Sequence, residues 1–150
     1  MSNYREVLVE FMSSKSKWMN EYLNIDGNLY FTDGDRDEIL SWKEERAKEI
    51  WLKIKKNINK NKCSGLRYEF CPFCYSSGYT HNEVNPGAEN MACTKCSYGK
   101  RHGICTSREP GVSQYQQILK IFKENRVNIY KTLSCDHYKR QVERLEETIG

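Results

Sequence analysis

The chain has 150 residues, of which 38% are hydrophobic and 29% charged, with a formal net charge of +4. That is enough apolar material for one modest core, but no run of about 18 apolar residues offers a bilayer span, so no membrane partner is expected. The charge is uneven: residues 53–102 carry nine basic and three acidic side chains, whereas residues 1–52 carry seven basic and eleven acidic ones. A basic surface open to a polyanion is therefore expected in the middle of the chain.

In chain order, Val7, Leu8, Phe11, Met12, Trp18 and Met19 recur at mostly helical spacing, with Arg5, Glu6, Glu10, Lys15 and Lys17 between them. This predicts a first helix. Charge alternates with apolar residues there instead of preceding an apolar block, so no secretory leader is expected and a cytoplasmic, reducing location follows. Asp26-Gly27 between two short apolar runs predicts a small hairpin near residues 22–31. Asp35, three residues before Glu38, reads as the cap of one long helix to about Asn59. Leu40, Ala47, Trp51, Ile54 and Ile58 would line its buried face, widened by Ile39 and Ile50. After Pro110-Gly111, Ser113 with Gln116 repeats the capping pattern. Tyr115, Leu119, Phe122, Ile129 and Leu133 follow at spacings of three and four, broken by Arg126, and predict a bundle face or a short coiled-coil seam. Between Leu133 and Tyr138 the register slips by five residues, which predicts a kink or a new helix near Asp136. Tyr138, Val142, Leu145 and Ile149 then resume the stripe.

Five of the seven cysteines lie in residues 69–105. Cys71-Pro-Phe-Cys74 and Cys93-Thr-Lys-Cys96 are two C-x2-C pairs separated by 18 residues, a spacing suited to four thiolates around one tetrahedral zinc ion. Two residues between thiolates let a tight turn aim both sulfurs at one ion. Gly78, Asn82, Asn85, Pro86, Gly87 and Asn90 between the pairs suit two short strands joined by a loop. This segment resembles a zinc ribbon over residues 69–105, with the departure that Tyr75 and Ser97 stand where such knuckles often carry Gly. Cys105 and His102 are alternate ligands, either by exchange or in a second site. An iron-sulfur cluster or thiol redox exchange also uses such cysteines. Cys63 and Cys135 read as small buried apolar residues.

Four thiolates close the coordination of zinc and leave no water to activate, and the chain has no nucleophile elbow, phosphate-binding loop or zinc-deaminase pattern. No enzyme is expected. The basic residues Lys55, Lys56, Lys60, Lys62, Lys95, Lys100 and Arg101, accompanied by tyrosines, suit phosphates and unpaired bases. The fold class read from these features is mainly α, a helical bundle with an inserted small β module of zinc-ribbon type. Its parts are residues 1–62 (N-terminal helices with the hairpin), 63–109 (the insert) and 110–150 (a C-terminal helix or helices packing on the first). The expected function is a zinc-stabilised nucleic-acid-binding accessory or regulatory protein. The alternative is a protein-binding adaptor or inhibitor with a purely structural zinc, and the C-terminal helix offers a route to a homodimer. An iron-sulfur or thiol redox protein is the third reading. Cys71, Cys74, Cys93, Cys96, Cys105 and Tyr115 together are also similar to the pattern of small cysteine-rich proteins of phages and mobile elements, which implies an accessory role.

Overall fold

The computed structural model describes residues 3–59, 71–76, 96–103 and 111–149, and there the chain is mainly helical. Helix α1 (Tyr4–Leu23) starts at Asn3, whose side chain accepts the Glu6 N–H at 2.9 Å, and stops at Asn24, which adopts the left-handed conformation (φ 53°). Asn tolerates that conformation better than most residues. Val7, Leu8, Phe11, Met12, Lys15 and Met19 are its buried residues, so Lys15 belongs to the stripe that faces the core.

The hairpin expected near residues 22–31 does not form. Asp26 instead caps a 3-10 turn (Gly27–Leu29), accepting the Asn28 N–H at 3.0 Å, while the N–H groups of Tyr30 and Phe31 both reach back to the Gly27 carbonyl. The chain curls where strands would extend, and Ser16 on α1 anchors the turn by donating to the Gly27 carbonyl at 2.9 Å. Ile25, Tyr30 and Phe31 are thereby buried.

The single helix expected from Asp35 to Asn59 is two helices, α2 (Asp33–Ser41) and α3 (Glu44–Asn59). The true cap is Thr32. Its hydroxyl accepts the Asp35 N–H at 3.1 Å and the Asp35 carboxylate accepts the Thr32 N–H at 2.8 Å, a reciprocal box three residues earlier than expected. The break at Trp42 (ψ 154°) is held from outside. Arg5 on α1 donates to the carbonyls of Leu40 and Trp42, both at 3.4 Å, and pairs with Glu44 at 3.2 Å, while the Tyr4 N–H also donates to Glu44. With the register broken there, Leu40 is exposed instead of buried, and Ala47, Ile50, Trp51, Ile54 and Ile58 form the buried face of α3.

Beyond the insert, Ser113 caps α6 (Gln114–Glu124), which ends before Arg126 at φ 57°. The short α7 (Ile129–Thr132) and α8 (Cys135–Glu146) follow, the latter capped by Ser134 through the His137 N–H at 3.2 Å. The register slip before Tyr138 is thus a helix break. Helices α1, α3 and α8 pack together. Phe11 meets Trp51 edge-on at 5.8 Å and Tyr138 at 6.0 Å, and Trp51 Nε1 donates to Glu146 at 2.7 Å. Burying three such aromatics contributes roughly 1.5–3 kcal/mol each.

Candidate metal centre and basic surface

Only parts of the cysteine insert are among the described residues. Cys71 directly precedes α4 (Pro72–Ser76), Cys74 lies within that helix, and Cys96 is the N-cap residue of α5 (Ser97–His102). Both described knuckles therefore run straight into a helical turn. Tyr75 and Ser97, standing where ribbon knuckles often carry Gly, are helical, so neither needs the positive φ that favours Gly. The strand pair expected between the cysteine pairs falls on residues 77–95, outside the described residues, as do Cys93, Cys105, Cys63, Lys60, Lys62 and Lys95.

Aromatic packing brings together the helical turns that follow Cys71 and Cys96. Phe73, between Cys71 and Cys74, stacks on Tyr98, two residues after Cys96, with ring centroids 5.1 Å apart. Trp42 closes on Phe73 edge-on at 5.7 Å, and Tyr98 stacks on His102 at 4.1 Å while its hydroxyl donates to the Tyr30 carbonyl. Cys71 is half-buried and Cys96 buried. A half-buried and a buried thiol are of a type that suits a soft cation, which would offset the charge of their ionised form. Among the described residues no group of three or more His, Cys, Asp or Glu is arranged around a common ion.

His102, the alternate ligand, has both ring nitrogens engaged by protein. Nε2 lies 2.6 Å from Asp35 and Nδ1 lies 2.6 Å from Gln114 Oε1. Ligation would require breaking one of these contacts. Arg101 is likewise committed, donating to Asp35 at 2.5 Å and pairing with Glu38 at 2.8 Å, with its guanidinium over the Phe73 ring. Burial pushes the Asp35 carboxyl up, but hydrogen bonds from His102, the Thr32 backbone and Arg101 hold it below its ordinary value. For Arg101, burial works against the charge and the bonds to Asp35 and Glu38 outweigh it, raising its pKa. No sequence signal linked Asp35 to residues 66 and 67 positions away.

The predicted basic residues divide. Arg101 belongs to this clamp and Lys55 pairs with Glu146 at 3.2 Å, whereas Lys56 and Lys100 are exposed, as is Lys53, which was not among them. Tyr75 joins the first cysteine pair to this basic end of α3. Its carbonyl accepts from Arg46 at 2.8 Å, its hydroxyl accepts from Asn57, and Lys53 lies over its ring at 5.8 Å.

Sequence reasoning also missed Lys15. It is 3% exposed, with its nitrogen 3.7 Å from the centre of the Phe11 ring and 5.1 Å from that of Tyr138. Burial lowers its pKa to about 7, opposed in part by Cys71. Its position four residues after Phe11 and four before Met19 is the signal that could have placed it on the buried stripe. Comparison of the chain with family models, with curated proteins and with solved structures finds no match to any of them.

Proposed function

We propose that this protein is a zinc-stabilised accessory or regulatory protein that contacts nucleic acid through the basic end of α3 and the adjoining cysteine module. In this reading Cys71, Cys74, Cys93 and Cys96 hold one structural zinc in an inserted module of zinc-ribbon type, and the ion acts as a staple with closed coordination. The observation that carries the reading is the seat of Tyr75. It seats the turn that carries Cys71 and Cys74 against Arg46, Lys53 and Asn57, which supports setting the cysteine module beside the basic face of α3. Lys53, Lys56 and Lys100, all exposed, are the residues assigned to phosphates, and Lys55 and Arg101 are released from that role by their carboxylate partners. The exposed large apolar side chains among the described residues, Tyr22, Leu40, Leu52 and Val112, stand singly on α1, α2, α3 and the turn before α6. Scattered single residues of this kind are ordinary surface and do not favour a protein-docking face.

The test is binding of single-stranded and duplex oligonucleotides by zinc-loaded protein across a salt series. Affinity should fall steeply with salt, and Lys53→Ala, Lys56→Ala and Lys100→Ala together should flatten the log-log slope by about two to three, near one per lost phosphate contact. Lys55→Ala should leave the slope unchanged. Absence of binding at low salt would overturn the nucleic-acid reading in favour of a protein partner. Metal analysis of protein purified without oxygen should give one zinc per chain and no visible colour, and a coloured iron-containing product would replace zinc by a cluster.

A further inference from the structure

A cleft of about 300 Å³ opens between α1 and α8, remote in sequence from the cysteine module. Lys15 and Trp18 line it from α1, and His137, Arg140, Gln141 and Arg144 from α8. No carboxylate is among its lining residues. Its volume lies at the small end of the range for small-molecule clefts.

The polar groups around this cleft are poorly matched with one another. Arg140 and Arg144 are one helical turn apart, an arrangement in which like charges repel. Among the described residues Arg144 has a single ion pair, to half-exposed Glu10 at 3.9 Å, and no carboxylate lies within ion-pair distance of Arg140. The Lys15 ammonium meets aromatic faces and has no ion pair with a carboxylate among the described residues, the Cys71 thiol being the acidic group that acts on it. Gln141 is 6% exposed, and although its amide nitrogen donates to Ser14, its Oε1 has no donor among the described residues. A second cleft shares Ser14, Trp18 and Arg144 with the first but adds Glu10 and Glu21, so an anionic group is directed away from it and toward Arg140 and Lys15.

We propose that the α1–α8 cleft is a binding site for a small organic oxyanion, its carboxylate or phosphate head held by Arg140, Arg144 and Lys15, its apolar body against Trp18 and Leu133. Arginine forks suit either head group, because both present two oxygens to a planar pair of N–H donors. Trp18 contributes its edge more than a face, since its ring already stacks on Tyr22 at 5.6 Å and Phe122 at 6.0 Å. The site involves none of the residues assigned to nucleic acid.

The experiment titrates zinc-loaded protein with phenyl phosphate, benzoate and the neutral benzyl alcohol, following Trp18 and the arginine side chains by NMR. At least one of the two anions should bind saturably and at 1:1, about tenfold or more tighter than benzyl alcohol, as expected where charged hydrogen bonds carry the recognition. Preference for phenyl phosphate or for benzoate assigns the head group. Arg140→Gln with Arg144→Gln should weaken the favoured anion by about tenfold or more, whereas the charge-matched pair Lys120→Gln with Lys123→Gln, exposed on α6, should leave it unchanged. Lys15→Met gives a second, independent loss in a variant whose helical signal is retained. Absence of saturable binding by either anion, equal binding of benzyl alcohol, or equal weakening by the α6 pair would overturn the proposal.

Discussion

Where α1, α3 and α8 meet, the contacts are almost wholly apolar: Phe11, Trp51, Tyr138, Ile54 and Leu145 are each 2% exposed or less. Where α2, α5 and α6 meet, one buried carboxylate does the joining. Asp35 binds its own cap residue Thr32, Arg101 and His102, and His102 passes the connection to Gln114. Close backbone contact adds to this, because a Cβ added at Gly103 (φ 84°) would lie 1.7 Å from the Val112 carbonyl oxygen. The first region is supported by area, which tolerates small changes distributed over many residues. The second rests on a few directional contacts, each of which strands a buried partner when removed.

The contrast should be sharpest on loss of the metal that we assign to the cysteine module. Apparent binding energies of structural zinc are on the order of 10–16 kcal/mol, so Cys71→Ser or Cys96→Ser should lose zinc and disorder the α4–α5 end. Helices α1, α3 and α8 should keep most of their amide protection in hydrogen exchange, since the contacts of Phe11 with Trp51 and Tyr138 join them without a cysteine. Uniform loss of protection throughout the chain would show that the two regions fold as one unit. Unchanged zinc content in both variants would remove the ligand assignment.

Next in size is the clamp. Asp35→Asn keeps the side-chain shape but leaves His102 without its carboxylate and Arg101 with Glu38 alone, at a cost of about 3 kcal/mol, the low end for a broken buried pair. The pH dependence follows from the direction of the shift. With its folded pKa below the unfolded value of 3.8, Asp35 contributes stability above that value, and loses it as pH falls through the lower folded value. Denaturant midpoints should therefore drop at neutral pH in the variant, and the gap from the parent should narrow as acid protonates Asp35. An equal midpoint at pH 7 would mean that the clamp is incidental to the fold.

How far each region could be read from the sequence follows the same division. The apolar stripes of α1, α3 and α8 were legible because burial repeats every three or four residues, and the Ser113 cap was legible because capping is local. The break at Trp42 was not, since it depends on Arg5 and Tyr4 reaching across from α1. The same holds for Asp35: a carboxylate three residues before Glu38 reads as a cap, but nothing local announces partners at Arg101 and His102. Of the candidate site, the C-x2-C spacing was legible, and the separation of internal from exposed lysines was not, because Glu146 lies 91 residues after Lys55.

Lys15 reverses the sign within the apolar region. A lysine with a folded pKa of about 7 and an unfolded value of 10.5 makes the unfolded chain bind more protons between those values. Stability should then rise with pH from about 7 to 10.5, by at most about 1.4 kcal/mol per unit. Lys15→Met should flatten this slope and stabilise the protein at pH 7 by about 1–3 kcal/mol, since an apolar side chain of similar length replaces a buried charge without a carboxylate. Thermal unfolding of both proteins from pH 6 to 10 measures it. A less stable variant would mean that the ammonium's contacts with Phe11 and Tyr138 outweigh its desolvation. A gain in stability combined with lost anion binding would identify Lys15 as a residue kept for its ligand.

The smallest effects test whether the two regions share a single unfolding event. Ser134 caps α8 and Ser113 caps α6, each by accepting one N–H at 3.2 Å, so the same deletion can be made on both sides of the comparison. Ser→Ala at either cap should cost about 1 kcal/mol. Helix α8 contributes Tyr138, Val142 and Leu145 to the core shared with α1 and α3, so the loss at Ser134 should lower protection of the slowest-exchanging amides in all three helices alike. Helix α6 buries Ile118 and Phe122, and its start is tied to the clamp through Gln114. Ser113→Ala should therefore speed exchange in α6 and α5 while leaving the slowest amides of α1 and α3 close to their parent rates. An equal loss of protection everywhere in the Ser113→Ala protein would contradict the division, because it would place the polar clamp and the apolar core inside one cooperative unit.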